Sequence, residues 1–155
     1  MFHRNMKKLA KLLATVFYIG FIPIAPGTAA SIAALFLYVA MKGDVFFHTT
    51  ATLFFLIAGF WAAGITEKEL GKKDPPQIVI DEFASMLLVY FFVPFNWKYI
   101  ITGFFLFRIL DVIKIPPIRK LEALPAAFGI MTDDIACAML TNIILQVLKT
   151  TPLLF

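Results

Sequence analysis

The chain has 155 residues, enough for one domain, of which 61% are hydrophobic and 15% charged, against about 45–50% and about 25% in soluble globular chains. That composition excludes water as its main solvent. Its formal charge of +4 comes from basic residues scattered at the ends of apolar runs, which excludes the continuous basic stripe of a nucleic-acid binder and suits an anionic lipid surface. The lone cysteine, Cys137, excludes an intramolecular disulfide framework.

In chain order, Met6, Leu9, Leu12, Leu13, Val16 and Phe17 recur at helical spacing, with Lys7, Lys8 and Lys11 towards the other side. This predicts a basic amphipathic helix lying on a membrane. The stretch Pro23-Ile24-Ala25-Pro26-Gly27-Thr28 then interrupts the apolar run, because two prolines and a glycine do not fit one regular helix. An apolar helix is expected from Gly27 to Met41, a turn over Lys42-Gly43-Asp44, and a return from Val45 to Thr66. This last run of 22 residues carries no charge and exceeds the roughly 20 needed to cross a bilayer as a helix.

Glu67 to Pro76 is the most polar stretch, and Pro75-Pro76 stops a helix from running through it; an exposed connection is expected. Gln77–Val93 predicts a third span, Pro94 to Lys98 a turn with Trp97 at the interface, and Tyr99–Ile115 a fourth span closed by Pro116-Pro117. After a second polar connection, Arg119 to Phe128, the last helix is expected from about Thr132 to Lys149. The expected fold is therefore all-α: a single domain over residues 1–155, a polytopic bundle of about five spans with an N-terminal interfacial helix. With the N-terminus in the cytoplasm, Arg4, Lys7, Lys8, Lys11, Lys68, Lys72, Lys73, Arg108, Lys114, Arg119 and Lys120 gather on that side, leaving Lys42, Lys98 and Lys149 outside, as basic residues favour.

That topology brings Asp81 and Glu82, Arg108 and Asp111, and Asp133 and Asp134 to the cytoplasmic ends of three helices. Ionisable groups within spans are costly and are therefore paired or functional. Clustered carboxylates are hard oxygen ligands of the type Mg²⁺ prefers, and arginine or lysine beside them can hold phosphate oxygens. Arg108, Asp111 and Lys114, at i, i+3 and i+6, form a slanted row on one side of a helix. Pro26-Gly27-Thr28 with Ser31 puts hydroxyls and a helix N-terminus at the same level, an arrangement suited to an anion. The blander readings are first-turn acids complementing helix dipoles and an i, i+3 ion pair. His48 lies in an apolar run without a partner spacing and reads as non-catalytic. Cys137 is followed six residues on by Ile143, not arginine, so the loop of a cysteine-dependent phosphatase is absent.

The strings Pro-Ile-Ala-Pro-Gly-Thr (23–28), Ile-Val-Ile-Asp-Glu-Phe (78–83), Phe-Arg-Ile-Leu-Asp-Val-Ile-Lys-Ile-Pro-Pro-Ile-Arg (107–119) and Gly-Ile-Met-Thr-Asp-Asp-Ile (129–135) together resemble the phosphatidylglycerophosphatase A family. The resemblance implies Mg²⁺-dependent hydrolysis of the terminal phosphate monoester of phosphatidylglycerophosphate, in the cytoplasmic (inner) membrane with the site facing the cytoplasm. It implies Asp81, Glu82, Asp111, Asp133 and Asp134 as catalytic and metal-binding acids, and Arg108, Lys114 and Arg119 as substrate-binding cations. Thr28 and Ser31 join the substrate site on the loop argument above. No D-x-D nucleophile motif is present, which favours direct attack by water. Two rivals are a CDP-alcohol phosphatidyltransferase, whose long spaced D-G-x-x-A-R signature is missing, and a small transporter or proton-coupled protein using the acids as an ion relay.

Overall fold

The structure is a computed structural model and describes residues 2–151. All its regular elements are helical: α1 (Phe2–Ala14), a 3₁₀ turn (Ile19–Phe21), α2 (Pro26–Ala40), α3 (Val45–Leu70), α4 (Ile80–Val89), α5 (Trp97–Ile113), α6 (Pro116–Arg119), a second 3₁₀ turn (Lys120–Ala123) and α7 (Ala127–Lys149). Pro26 opens α2, where its missing N–H costs nothing. Asp44 caps α3 by accepting from the N–H groups of Phe46 and Phe47, at 3.0 and 3.1 Å. Asn96 likewise caps α5 through Lys98 N, at 2.9 Å.

The all-helical expectation holds, whereas five full-length spans are not found. Among the described residues, only α3 and α7 are long and apolar enough to cross a membrane. α3 presents Leu53, Phe54, Ile57 and Trp61 outwards, a surface that water would not favour. α4 has ten residues, about 15 Å of helix, where the sequence predicts a span over Gln77–Val93. It is short because Val79 is non-helical at one end, while Phe92 (φ 57°) and Pro94 break it at the other.

Two boundaries also move. α3 runs on to Leu70 because nothing breaks it before Gly71, which ends it with a left-handed φ of 63°. α7 begins at Ala127, ahead of the predicted Thr132, because residues 122–124 fold back over its first turns. A Cβ on Gly129 would lie 2.4 Å from Leu124 O, so only glycine allows that approach.

α4 is the buried centre of the bundle. Ile80, Ala84, Met86, Leu87 and Val89 are fully enclosed among α2, α3, α5 and α7. The carbonyls at its C-terminal end and just beyond it find donors on neighbouring helices. His48 Nε2 donates to Leu87 O at 2.9 Å. Asn142 Nδ2 donates to Val89 O (2.9 Å) and Phe91 O (2.8 Å), and Gln146 Nε2 to Phe91 O (3.1 Å). Tyr90 stacks on Tyr38 at 4.6 Å and donates to Ile100 O at 2.8 Å. α1 packs along α3, and its last carbonyl, Ala14 O, accepts from Val79 N at 2.9 Å, fixing the start of α4.

Candidate active site

Three helix N-termini, those of α2, α4 and α7, meet the C-terminal end of α5 around a cavity of about 330 Å³. Thr28, Asp81, Glu82, Arg108, Asp111, Lys114, Asp133 and Asp134 all line it. The five acids expected from the sequence therefore share one cavity, but in two electrical states. Asp111 is paired with Arg108 Nη1 at 2.8 Å, and Asp133 with Lys114 Nζ at 2.6 Å. Asp81, Glu82 and Asp134 have no such partner among the described residues, and one oxygen of each lies within 4.8 Å of the others.

Asp81 Oδ1, Glu82 Oε2 and Asp134 Oδ2 are buried without a hydrogen-bond partner. Buried polar atoms are normally satisfied, and three unneutralised carboxylates in a low-dielectric interior repel one another. A cation would relieve both costs. An all-oxygen donor set fits a hard divalent ion, so the residues present fit the metal that their pattern implies.

Close approach of the backbone makes room for this trio. A Cβ on Gly27 would fall 1.9 Å from Glu82 Oε1, so the glycine at the start of α2 is what lets the Glu82 carboxylate lie against that helix. Ala25, the residue capping α2, offers no side-chain hydrogen bond, leaving first-turn N–H groups without intrahelical partners next to the cavity. Ser31 does not line the cavity. It is buried one turn on, donates to Gly27 O at 3.0 Å and stands 3.5 Å from Arg108 Nη1, so it helps to seat the arginine.

Lys114 is not the third member of a helical row. It caps α5 in the left-handed region, at φ 42°, and so swings into the gap between Asp133 and Glu122, both of which accept from it, at 2.6 and 2.8 Å. Burial alone would lower its pKa, but the hydrogen bonds to Asp133 and Glu122 and the neighbouring negative charges prevail and hold it well above the usual lysine range. Asp133 and Asp134 stand in the second turn of α7 and not at its start, because the helix begins early; the first-turn dipole reading therefore fits only Asp81 and Glu82.

Arg119 is exposed at the end of α6 and lines an adjoining cavity. Two acids join the site that sequence reasoning left in its polar connections: Asp74, on the cavity wall, and Glu122, on Lys114. Neither carries a local signal, since both are brought in by turns. His48 and Cys137 stay outside the cavity; Cys137 is fully buried.

A carboxylate trio that can hold a cation, beside an arginine and a lysine that can take an anion, fits a phosphate-handling helical-bundle protein. The family model described as Phosphatidylglycerophosphatase A matches residues 12–149; the chain belongs to that family. A Bacteroides thetaiotaomicron protein with the provisional name phosphatidylinositol-3-phosphatase is 37% identical over 150 residues, 91% of this chain and 94% of its own. The proteins named Phosphatidylglycerophosphatase A from Haemophilus influenzae and Escherichia coli are 37% and 35% identical, over 86% and 84% of this chain and 84% and 77% of theirs. No solved structure matches the chain.

Proposed function

We propose that this protein hydrolyses the terminal phosphate monoester of phosphatidylglycerophosphate to phosphatidylglycerol and inorganic phosphate, in a Mg²⁺-dependent reaction at the cytoplasmic face of the inner membrane. The observation that carries this reading is the unpaired trio Asp81, Glu82 and Asp134 in the same cavity as Arg108 and Lys114, in a chain of this family.

Arg108, held by Asp111, and Lys114, held by Asp133 and Glu122, grip the phosphate oxygens from fixed positions, so little reorganisation is needed as charge develops. The uncapped first turn of α2, with the Thr28 hydroxyl, offers further donors. Water attacks in line: its oxygen bonds to phosphorus, the bond from phosphorus to the glycerol oxygen breaks, a carboxylate of the site accepts the water proton and returns it to solvent, and the departing alkoxide takes its proton from solvent water. Asp81, Glu82 and Asp134 would hold Mg²⁺, which when bound would supply Lewis-acid polarisation and charge neutralisation. Asp111 and Asp133 keep the two cations in register and complete the acidic shell.

A multi-pass arrangement fits the same geometry. α2, α5 and the buried α4 join the longer α3 and α7, and the start of α3 meets the end of α4 at His48 and Leu87. Every buried carboxylate among the described residues lies in one layer, which disfavours an ion relay across the bilayer.

Purified protein assayed with phosphatidylglycerophosphate and Mg²⁺ should release inorganic phosphate, and chelator should stop it. Phosphatidylinositol 3-phosphate, suggested by the name of the Bacteroides relative, is the comparison substrate. No release from phosphatidylglycerophosphate, or faster release from the inositol lipid, would overturn the substrate assignment.

A further inference from the structure

Next to the acidic cavity lies a second one of about 500 Å³, with Glu82, Asp111 and Lys114 on the shared wall. The rest of its lining is Val112, Ile113, Arg119 and Glu122, the last of these neutralised by Lys114. Val112 and Ile113 are 75% and 67% exposed in the last turn of α5, so an aliphatic surface runs directly up to a polar mouth. The cations around this mouth differ in state. Arg108 and Lys114 are committed to carboxylates, whereas the Arg119 guanidinium has no hydrogen bond or ion pair among the described residues. Unengaged guanidinium at the edge of an apolar surface is suited to bidentate contact with a phosphate.

We infer that this side cavity receives the phosphodiester of the lipid substrate, with Arg119 as its counter-charge and Val112 and Ile113 against the first carbons of the acyl chains. The inference rests on the phosphatidylglycerophosphate reading. That lipid carries two phosphates separated by a glycerol: a monoester that reacts and a diester that stays on the product. Two cavities with a common wall give each phosphate its own place, the monoester beside Arg108 and Lys114 and the diester beside Arg119.

The two products separate the two places. In the full chain in detergent, with short-chain lipids, Arg119→Gln should raise KM for phosphatidylglycerophosphate about tenfold, the loss of roughly one charge-assisted contact, with kcat within about twofold. Inhibition by phosphatidylglycerol, which has only the diester, should weaken by the same factor. Inhibition by inorganic phosphate should not change, and Arg119→Lys should recover part of the loss. Equal weakening of inhibition by both products would assign Arg119 to the reacting phosphate and overturn the inference. Unchanged KM and unchanged inhibition would overturn it too, by showing that the side cavity holds no part of the lipid. Failure of the unsubstituted protein to release phosphate from phosphatidylglycerophosphate would instead strike the proposed function itself, and is read before any variant is made.

Discussion

At the C-terminal end of α4 the open carbonyls are met by neighbours: His48, Asn142 and Gln146 donate to them, and Tyr90 stacks on Tyr38. At the N-terminal end, ten residues away, Asp81 and Glu82 face Asp134 with oxygens that nothing in the fold satisfies. One short helix thus joins a settled end to an unsettled one. The satisfied end holds the helix in a place where its backbone could not otherwise be buried, and that anchoring lets the other end keep a charge arrangement unfavourable in itself. Stability and chemistry are divided along a single element.

Substitutions should expose that division. The largest effect is expected from Asp81→Asn or Asp134→Asn, which should lower phosphate release by about 10²–10³-fold or more. The melting temperature of the metal-free protein should hold or rise, because one of three mutually repelling charges is removed; a large fall in both would show that the trio is structural. Gly27→Ala should push the Glu82 carboxylate off α2 and cost about 10–100-fold in kcat/KM, with a nearly unchanged unfolding curve.

Mg²⁺ at about 100 times its dissociation constant should stabilise the fold by about 2.7 kcal/mol, seen as a higher melting temperature that chelator reverses and Asp81→Asn abolishes. At the settled end, Asn142→Leu leaves Val89 O without its donor and should cost about 1–3 kcal/mol of stability, while turnover per folded molecule at low temperature is retained.

The smallest change concerns pH. Because the fold raises the pKa of Lys114, the stability it contributes is fully present below the ordinary lysine value of about 10.4 and fades only as pH climbs through the elevated one. The stability difference between the unsubstituted protein and Lys114→Met should therefore stay constant between about pH 6 and 9, measured by thermal unfolding.

Much of this was legible in the sequence. Prolines 26, 75, 76, 116 and 117 and the apolar runs between them marked where helices stop and start, three motifs carried the acids and cations that meet in the cavity, and a fourth carried Gly27 and Thr28. What escaped were features set by distant contacts. The shortness of α4 depends on donors from α3 and α7 that replace its missing turns, so an apolar run of span-like length concealed it. The early start of α7 depends on residues 122–124 folding over Gly129. The split of five carboxylates into three unpaired and two paired depends on where Lys114 swings once α5 has ended, which periodicity along α5 does not reveal.

The early start of α7 also sets the depth of the chemistry. Asp134 stands seven residues beyond Ala127, roughly 10 Å down the helix axis, so the acidic layer is recessed below the rim of the bundle. In the proposed reaction, an anion that reaches it would shed its hydration on the way down and arrive among dipoles and charges already oriented to replace that water. Dehydration then belongs to docking, and the bond-breaking step begins in a setting where every counter-charge is near at hand.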